Sequence, residues 1–278
     1  MKSYTLLLVV GAGIAGASCG SRSADADAAP AALLEQAEAC VNSDPATSIL
    51  LLDSLSKTYR TETALVKQAM ALRPRAIEQL TLREIAAADS LLEANKHEIE
   101  TLRSSLRWVK EPRMVDGYYI ASTAYDPDFM NTTGIEARVT DIGRFYVVSS
   151  ANPGNGHTSV TITDGSASAT TGEVPYDGES NYRIGGGEVV TYSPEKSDTL
   201  GAFAAQASGP LTLRFNGRGK SSRRLSARDV EAIAVAYRYS KAVESARNAD
   251  IEQQRLRKQL EIARSQQQRL ADKAANDS

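Results

Sequence analysis

The 278-residue sequence is poor in the residues that most often build catalytic and metal sites. It contains two cysteines, two histidines and one tryptophan, and its formal net charge is only −2. His97 and His157 lie in unrelated surroundings, which excludes most histidine-rich metal sites and disfavours a Ser-His-Asp triad. No zinc motif, nucleophile elbow or phosphate-binding loop occurs. We therefore expect no enzyme activity, no cofactor and, from the charge balance, no nucleic-acid partner.

Long apolar runs are also scarce, and the clearest one occupies residues 4–17. This run is shorter than the roughly 20 residues that a membrane-spanning helix needs. It contains Gly11, Gly13 and Gly16 in the spacing of a dinucleotide-binding turn. That site needs a following helix and a second strand with an acidic residue, but residues 18–30 form a small-residue linker. The run is better explained as the core of an export signal, with Lys2 as its positive end.

A cysteine follows the apolar run. Gly16-Ala17-Ser18-Cys19 resembles the lipobox of bacterial lipoproteins. The resemblance implies cleavage before Cys19 and acylation of its thiol, which would anchor the chain to a membrane. An ordinary signal-peptidase site after Ala17 is the alternative and would leave a soluble secreted protein. We predict a signal peptide at 1–18 and a flexible tether at 19–30.

Residues 31–73 read as short helices. Asp44 is a typical N-cap before Pro45, a further helix is predicted at about 61–72, and Pro74 is expected to open the next one. Residues 39–45 and 51–55 resemble the degenerate helical-repeat segments near the N-terminus of Bacteroidota lipoproteins. Three Asp-Ser/Thr-aliphatic triplets also resemble O-glycosylation acceptors of that phylum: 53–55, 89–91 and 198–200. The resemblance implies an exported, lipid-anchored envelope protein, which we expect in the outer membrane.

Two heptad-like seams flank the middle of the chain. The first, in a helix predicted at 74–111, consists of Ile85, Ala88, Leu92, Asn95, Ile99, Leu102, Leu106 and Val109. The second, in a helix predicted at 226–275, consists of Ala232, Val235, Tyr239, Ala242, Ala246, Ala249, Gln253, Leu256, Leu260, Ala263, Gln267, Leu270 and Ala274. We expect the seams to pair antiparallel within a monomer, with Asn95 beside Ala246 and residues 260–274 packed on the helices of 31–72. Asn95 and Gln253 are interpreted as register-fixing amides.

In residues 112–225 the sequence pattern changes to short runs of alternating apolar and polar residues, separated by glycine-rich turns. The runs are 118–120, 145–147, 160–162, 190–192 and 211–215, with turns at 152–156, 164–165 and 185–187. This pattern predicts an all-β module, either a sandwich or a partly open barrel. The predicted fold class is therefore α+β, with N-terminal helices and a long antiparallel coiled-coil pair into which the β module is inserted.

Several groups in the β module could carry chemistry. The carboxylates are Asp116, Asp126, Asp128, Asp141, Asp164, Asp177 and Glu179, which could form a hydrolase pair or calcium site but are more typical of solvated turns. Five tyrosines could form a sugar-stacking platform or belong to the core: Tyr118, Tyr119, Tyr125, Tyr176 and Tyr182. The last group is a predicted basic loop of Arg218, Lys220, Arg223 and Arg224, which either binds a phosphate, anionic lipid or acidic glycan or balances Glu111 and its neighbours.

Three function classes follow from these observations. The leading one is a non-enzymatic lipid-anchored envelope protein whose helical stalk presents the β module for binding or structural work. The others are a carbohydrate-binding or adhesin-like module and a hydrolase. We expect a glycan or envelope-protein partner to contact the loops at 126–133, 152–157 and 177–181, because binding residues collect on loops of rigid scaffolds. Cys40 is interpreted as a small buried side chain.

Overall fold

The computed structural model describes residues 24–110 and 116–276. The predicted signal peptide and Cys19 lie outside these residues, as does Glu111. The described residues divide into two compact units: a helical unit, formed by the residues up to Arg83 and those from Lys258 onward, and a mixed unit of Glu84–Arg257. The predicted α+β class is confirmed, with a β region between the third and the last helix.

The helical unit contains α1 (Ala24–Cys40), α2 (Pro45–Thr58), the first part of α3 (Thr63–Arg103) and the last part of α5 (Ala227–Asn276). The predicted start of α2 is confirmed, because an Asp44 carboxylate oxygen accepts a hydrogen bond from the Thr47 amide at 3.2 Å. The Ser48 hydroxyl donates to the Ala37 carbonyl at 2.7 Å and ties α2 to α1. The apolar core of this unit consists of Leu34, Ala37, Val41, Leu52, Leu55, Ala69 and Ala76.

Two predicted boundaries in the helical unit are wrong. Helix α1 begins at Ala24, so the segment 24–30 assigned to the tether is helical and includes Pro30. Pro74 does not open a helix but lies inside α3. A proline there removes one backbone hydrogen bond. Burial of Ala69 and Ala76 in one core, on either side of Pro74, favours a helix that continues through it.

Within the helical unit, the last part of α5 runs antiparallel to α3. Gln259 donates to the Thr81 hydroxyl at 3.1 Å, and Arg264 pairs with Glu78 at 2.8 Å. Gln267 donates to Glu78 at 2.7 Å and to the Pro74 carbonyl at 3.3 Å. These polar contacts lie just beyond the 31–72 segment that was expected to receive this end of the chain.

Within the mixed unit, α3 and α5 are also antiparallel, as the seams predict. Asn95 donates to the Ser245 hydroxyl at 3.0 Å, next to the predicted partner position Ala246, and Gln253 donates to Asp89. The seam on α3 is shorter than predicted, because the helix ends at Arg103. Leu106 and Val109 belong instead to β1 (Leu106–Val109). Leu106 and Val109 are three positions apart, which fits a heptad. They are also the first and last residues of this four-residue strand, and both are buried.

The β region forms two antiparallel sheets. The six-stranded sheet has the order β1-β2-β3-β4-β8-β7, with β2 (Tyr118–Ala121), β3 (Gly134–Thr140), β4 (Phe145–Ala151), β7 (Asn181–Ile184) and β8 (Gly187–Tyr192). The four-stranded sheet has the order β10-β9-β5-β6, with β5 (Ser159–Thr163), β6 (Ser168–Thr170), β9 (Leu211–Asn216) and β10 (Lys220–Leu225).

All five strand runs read from the sequence lie in strands, but the module is not all-β. A helix, α4 (Pro194–Gln206), follows β8 and packs on β4. Its start carries the usual signal of serine followed by proline at the first helical position. Gly201 lies against the rings of Tyr237 and Phe145, so a larger residue would not fit there.

The first turns of α5 belong to the same core as the sheets. Ile233, Ala236 and Tyr239 are buried together with Val147, Leu213 and other residues of both sheets. The helix begins with the predicted capping box, in which the Ser226 hydroxyl accepts from the Asp229 amide and an Asp229 carboxylate oxygen accepts from the Ser226 amide. The β region and the beginning of the last helix are therefore one folded body, not a module and a separate stalk.

Candidate functional site

The most organised polar cluster lies in the interior of the mixed unit. The Oγ atom of Ser149 is 2.8 Å from Nε2 of His157, and Nδ1 of His157 is 3.2 Å from Oε2 of Glu188. The Tyr192 hydroxyl is 3.2 Å from the same Ser149 oxygen. A serine, an imidazole and a carboxylate in this order have the connectivity of a hydrolase triad.

Two strands and one loop position these groups. Ser149 lies on β4 and Glu188 on the neighbouring β8, while His157 ends the loop that leaves β4. Glu188 Oε2 accepts the backbone amides of Asn155, Gly156 and His157 at 3.2, 2.7 and 3.2 Å. One carboxylate therefore holds both the loop backbone and the imidazole. A neutral His157 that donates through Nδ1 and accepts through Nε2 satisfies both partners.

Burial decides what this cluster can do. Ser149 and His157 are 0% exposed and Glu188 is 2% exposed, so solvent does not reach the three side chains. Burial lowers the pKa of His157, against the opposing pull of the Glu188 carboxylate, and keeps the ring neutral. Burial also raises the pKa of Tyr192, so its hydroxyl remains protonated. The arrangement is suited to fixing a loop in the core, because a substrate would have to open the fold to reach Ser149.

A second buried polar pair lies on the other face of the six-stranded sheet. Arg138 Nη2 is 2.6 Å from Glu136 Oε2, and both side chains are less than one tenth exposed. The guanidinium lies over the Tyr118 ring, with 4.1 Å between the Arg138 Cζ and the ring centroid. Burial raises the pKa of Glu136, whereas the charge of Arg138 opposes that rise. The pair is enclosed by tyrosines and by the loop that follows β2.

The five predicted tyrosines do not form one exposed platform. Tyr118 is buried with Val109 and Ile120, and the adjacent Tyr119 points to the opposite face, where it contacts Trp108 and Tyr239. Tyr125 and Tyr182 are half-buried, and only Tyr176 is strongly exposed, at 63%. The interpretation as core and rim is therefore confirmed for four of the five.

Three of the seven predicted carboxylates act as turn formers, and the other four are exposed. Asp164 accepts the amides of Ser166 and Ala167 in the β5–β6 turn, and these bonds lower its pKa. Asp177 accepts the amides of Glu179 and Asn181, which likewise lowers its pKa. Asp126 accepts the Asp128 amide at 2.9 Å. Asp116, Asp128, Asp141 and Glu179 are exposed. Among residues 24–110 and 116–276, no group of three or more histidine, cysteine or acidic side chains could hold a metal ion.

Two of the three predicted binding loops meet. The Asn152 side chain donates to the Asn131 carbonyl at 2.9 Å, and Thr133 donates to the Asn152 carbonyl at 3.0 Å. These bonds join the loops at 126–133 and 152–157 beside one end of β3 and β4. The third loop, at 177–181, lies near the other end of β8, where the Thr191 amide donates to the Ser180 carbonyl. Asn181 connects it to the second loop only through the His157 carbonyl.

The predicted basic loop is mostly a strand. Lys220, Arg223 and Arg224 belong to β10, and Arg218 lies in the turn before it. The strand alternation separates neighbouring arginines. Arg223 turns toward β3, donates to the Thr133 carbonyl at 2.6 Å and pairs with Asp229 at 3.5 Å. Arg224 occupies the opposite face, where Thr212 of β9 is its cross-strand partner.

The remaining predicted positions form no common site. Cys40 is a free, half-buried thiol at the end of α1, and His97 is exposed on α3. In the three glycosylation-like triplets, the hydroxyl residues Ser54, Ser90 and Thr199 are exposed but lie within helices. Sequence reasoning missed Glu188 and Glu136. Each is an acidic residue within a strand, and its burial is evident only in the folded structure.

Comparisons add no assignment to this geometry. No family model matches the chain, and neither a curated protein nor a solved structure matches it significantly. Within the part of the chain that the structure describes, no helix combines the length and apolar character required to cross a membrane.

Proposed function

We propose that this chain is a non-enzymatic cell-envelope protein, exported and anchored through an acylated Cys19, in which the mixed unit binds a partner or serves a structural role. The motif Gly16-Ala17-Ser18-Cys19 supports the anchor. Acyl chains on one cysteine hold a protein on a membrane without a spanning helix. The chain acts as a monomer, because its two seams find their partners within the same chain. The partner is a glycan or another envelope protein.

The observation that carries the non-enzymatic part is the burial of Ser149, His157 and Glu188. These are the residues whose connectivity comes closest to a catalytic triad, yet Ser149 and His157 have no exposed surface. General-base catalysis requires that the substrate reach the nucleophile at hydrogen-bond distance. The cluster therefore supports a fold-stabilising role for these residues.

A covalent serine probe tests this part of the proposal. A fluorophosphonate that labels activated serines should leave the folded protein unmodified, and Ser149→Ala should change only its thermal midpoint. Thr212→Ala, a hydroxyl removal on the other sheet, is the matched control. Labelling of the wild type that Ser149→Ala abolishes would identify a hydrolase and overturn the proposal.

Cell fractionation tests the anchor. The wild type should sediment with membranes, and Cys19→Ala should move to the soluble or unprocessed fraction. Cys40→Ala removes the other thiol and should leave the distribution unchanged. A wild type that is soluble after fractionation, with an N-terminus created by cleavage after Ala17, would contradict lipid anchoring.

A further inference from the structure

The outer face of the four-stranded sheet is a continuous polar surface. Its cross-strand positions follow from the register: Ser222 of β10 lies opposite Arg214 of β9, and Arg214 lies opposite Thr161 of β5, which in turn lies opposite Thr170 of β6. The adjacent row places Arg224 opposite Thr212. Neighbouring strands are about 4.8 Å apart, so these side chains form a closely spaced grid.

The grid consists of hydroxyls and cations. The Thr161 and Thr170 hydroxyls are 2.8 Å apart, and Asn216 donates to the Thr161 hydroxyl at 2.9 Å. No acidic residue occupies an outward position on β5, β6, β9 or β10. The hydroxyls are therefore ordered by one another and retain free capacity to donate and accept.

Two arginines on this face lack partners among the residues that the structure describes. Arg214 and Arg224 are exposed, and neither has an ion pair or hydrogen bond to any residue that the structure describes. Arg223, one position along β10, is bound to Thr133 and Asp229. Arg223 therefore stabilises the fold, whereas the adjacent Arg224 is available to a ligand.

The composition of the face selects a ligand class. No aromatic side chain occupies an outward position on these strands, which removes the stacking surface typical of neutral-sugar and single-stranded nucleic-acid sites. Planar guanidinium groups bind carboxylates and sulfates through paired hydrogen bonds. Serine and threonine hydroxyls complement the hydroxyls of a sugar. The chain as a whole carries a net charge of −2, so attraction of a polyanion must be local.

We propose that the outer face of the β10-β9-β5-β6 sheet binds an anionic polysaccharide, with Arg214 and Arg224 engaging its carboxylates or sulfates and with Thr161, Thr170 and Ser222 hydrogen-bonding its hydroxyls. This assignment rests on the proposed envelope function and names the class of partner within it. The two arginines, on the neighbouring strands β9 and β10, contact charged groups of an extended polysaccharide chain. The surface does not enclose a single sugar in a pocket.

Calorimetry on the full-length chain purified in detergent tests the proposal, with dextran sulfate and polygalacturonate as probes and neutral dextran as the reference. The wild type should bind both polyanions and not dextran. Arg214→Gln and Arg224→Gln should each weaken binding about fivefold, and together by more than about tenfold. The double variant should also show a weaker dependence on salt, because two cationic contacts are gone.

The matched control is Arg257→Gln with Arg269→Gln, which removes the same charge from exposed positions of α5. This control should bind like the wild type. Circular dichroism should give the same thermal midpoint for all variants, since the exchanged arginines have no partners among the described residues. Equal binding by the Arg214/Arg224 double variant and the wild type would overturn the proposal, as would failure of the wild type to bind either polyanion.

Two further probes exclude a general anion surface. Phosphatidylglycerol vesicles and single-stranded DNA should bind at least tenfold more weakly than dextran sulfate, and comparable binding would overturn the glycan assignment. Failure of lipid anchoring and failure of glycan binding are distinguishable. Cell fractionation of Cys19→Ala tests only the anchor, whereas calorimetry on the purified chain tests only glycan binding.

Discussion

Ser149 and His157 are joined by a 2.8 Å hydrogen bond in a part of the core that excludes solvent. The same imidazole contacts Glu188, whose carboxylate gathers three backbone amides of the loop from Asn155 to His157. The bond thus links β4 to a loop whose backbone is also held by Glu188. Protonation of His157 would remove the acceptor that Ser149 uses.

This relationship predicts a pH-dependent stability. Burial lowers the pKa of His157 below its ordinary value of 6.5, so the unfolded chain binds this proton more readily than the folded one. The stabilisation is complete above pH 6.5 and is lost as the pH falls from there through the lower folded-state pKa. Urea unfolding at pH 7.5 and 5.0 should show this loss in the wild type and in His97→Gln, but a smaller one in His157→Gln. Equal losses in all three would contradict the assignment.

The antiparallel pairing in the mixed unit predicts a specific crosslink. Asn95 contacts Ser245, so one helical turn away Leu92 faces Ala249. In a Cys40→Ala background, Leu92→Cys with Ala249→Cys should form a disulfide within a monomer, visible as a mobility shift without reducing agent. Ala94 is exposed, and Ala94→Cys with Ala249→Cys should not crosslink. A crosslink found only between chains would indicate a dimeric coiled coil instead.

The Glu136–Arg138 pair predicts non-additive effects on stability. Glu136→Gln leaves a buried guanidinium without its counter-charge and should lower the free energy of unfolding by about 3–5 kcal/mol. The double variant Glu136→Leu with Arg138→Met removes both charges and should be more stable than either single replacement. Denaturant titration measures each value. A loss under about 1 kcal/mol in Glu136→Gln would show that the pair is not effectively buried.

The neighbours Arg223 and Arg224 should differ in their effect on folding. Arg223→Gln removes the bonds to Thr133 and Asp229, and since Arg223 is partly exposed we expect a loss of about 1 kcal/mol in unfolding free energy. Arg224→Gln should leave the stability unchanged. Thermal unfolding of the two variants side by side provides the measurement. Equal midpoints for both would contradict the division of roles.

Local pattern predicted much of this fold. The five alternating runs became strands because one of their faces is buried, and Asp44 and Ser226 cap helices because their side chains bond to nearby amides. The turn residues Gly185 and Gly186 have the positive φ angles, 56° and 85°, that a two-residue hairpin turn requires. Each of these features depends on a few adjacent residues.

The errors arose where distant packing decides the outcome. Leu106 and Val109 continue the helical spacing of α3, but pairing with β2 places them in a strand. Pro74 resembles a helix start, yet packing on both sides keeps it inside α3. In the sequence, the arginines of β10 resemble a solvated loop. Only the pairing of β10 with β9 shows that Arg223 and Arg224 lie on opposite faces of a strand.

The polar clusters could not be predicted for the same reason. Ser149, His157 and Glu188 are neighbours only because β4 pairs with β8 and the intervening loop folds back. No spacing in the sequence links them. The outer face with Arg214 and Arg224 likewise depends on the order β10-β9-β5-β6, in which only two of the three neighbouring pairs are consecutive along the chain.

The contact between Asn95 and Ser245 also has a consequence for folding during synthesis. The two residues are 150 positions apart, so at about 5–20 residues per second the ribosome adds Ser245 roughly 8–30 s after Asn95. Ile233 and Tyr239, which complete the core of both sheets, emerge just as late. The mixed unit therefore cannot complete its core during most of its own synthesis, and a nascent chain that stops before α5 lacks the segment that closes it.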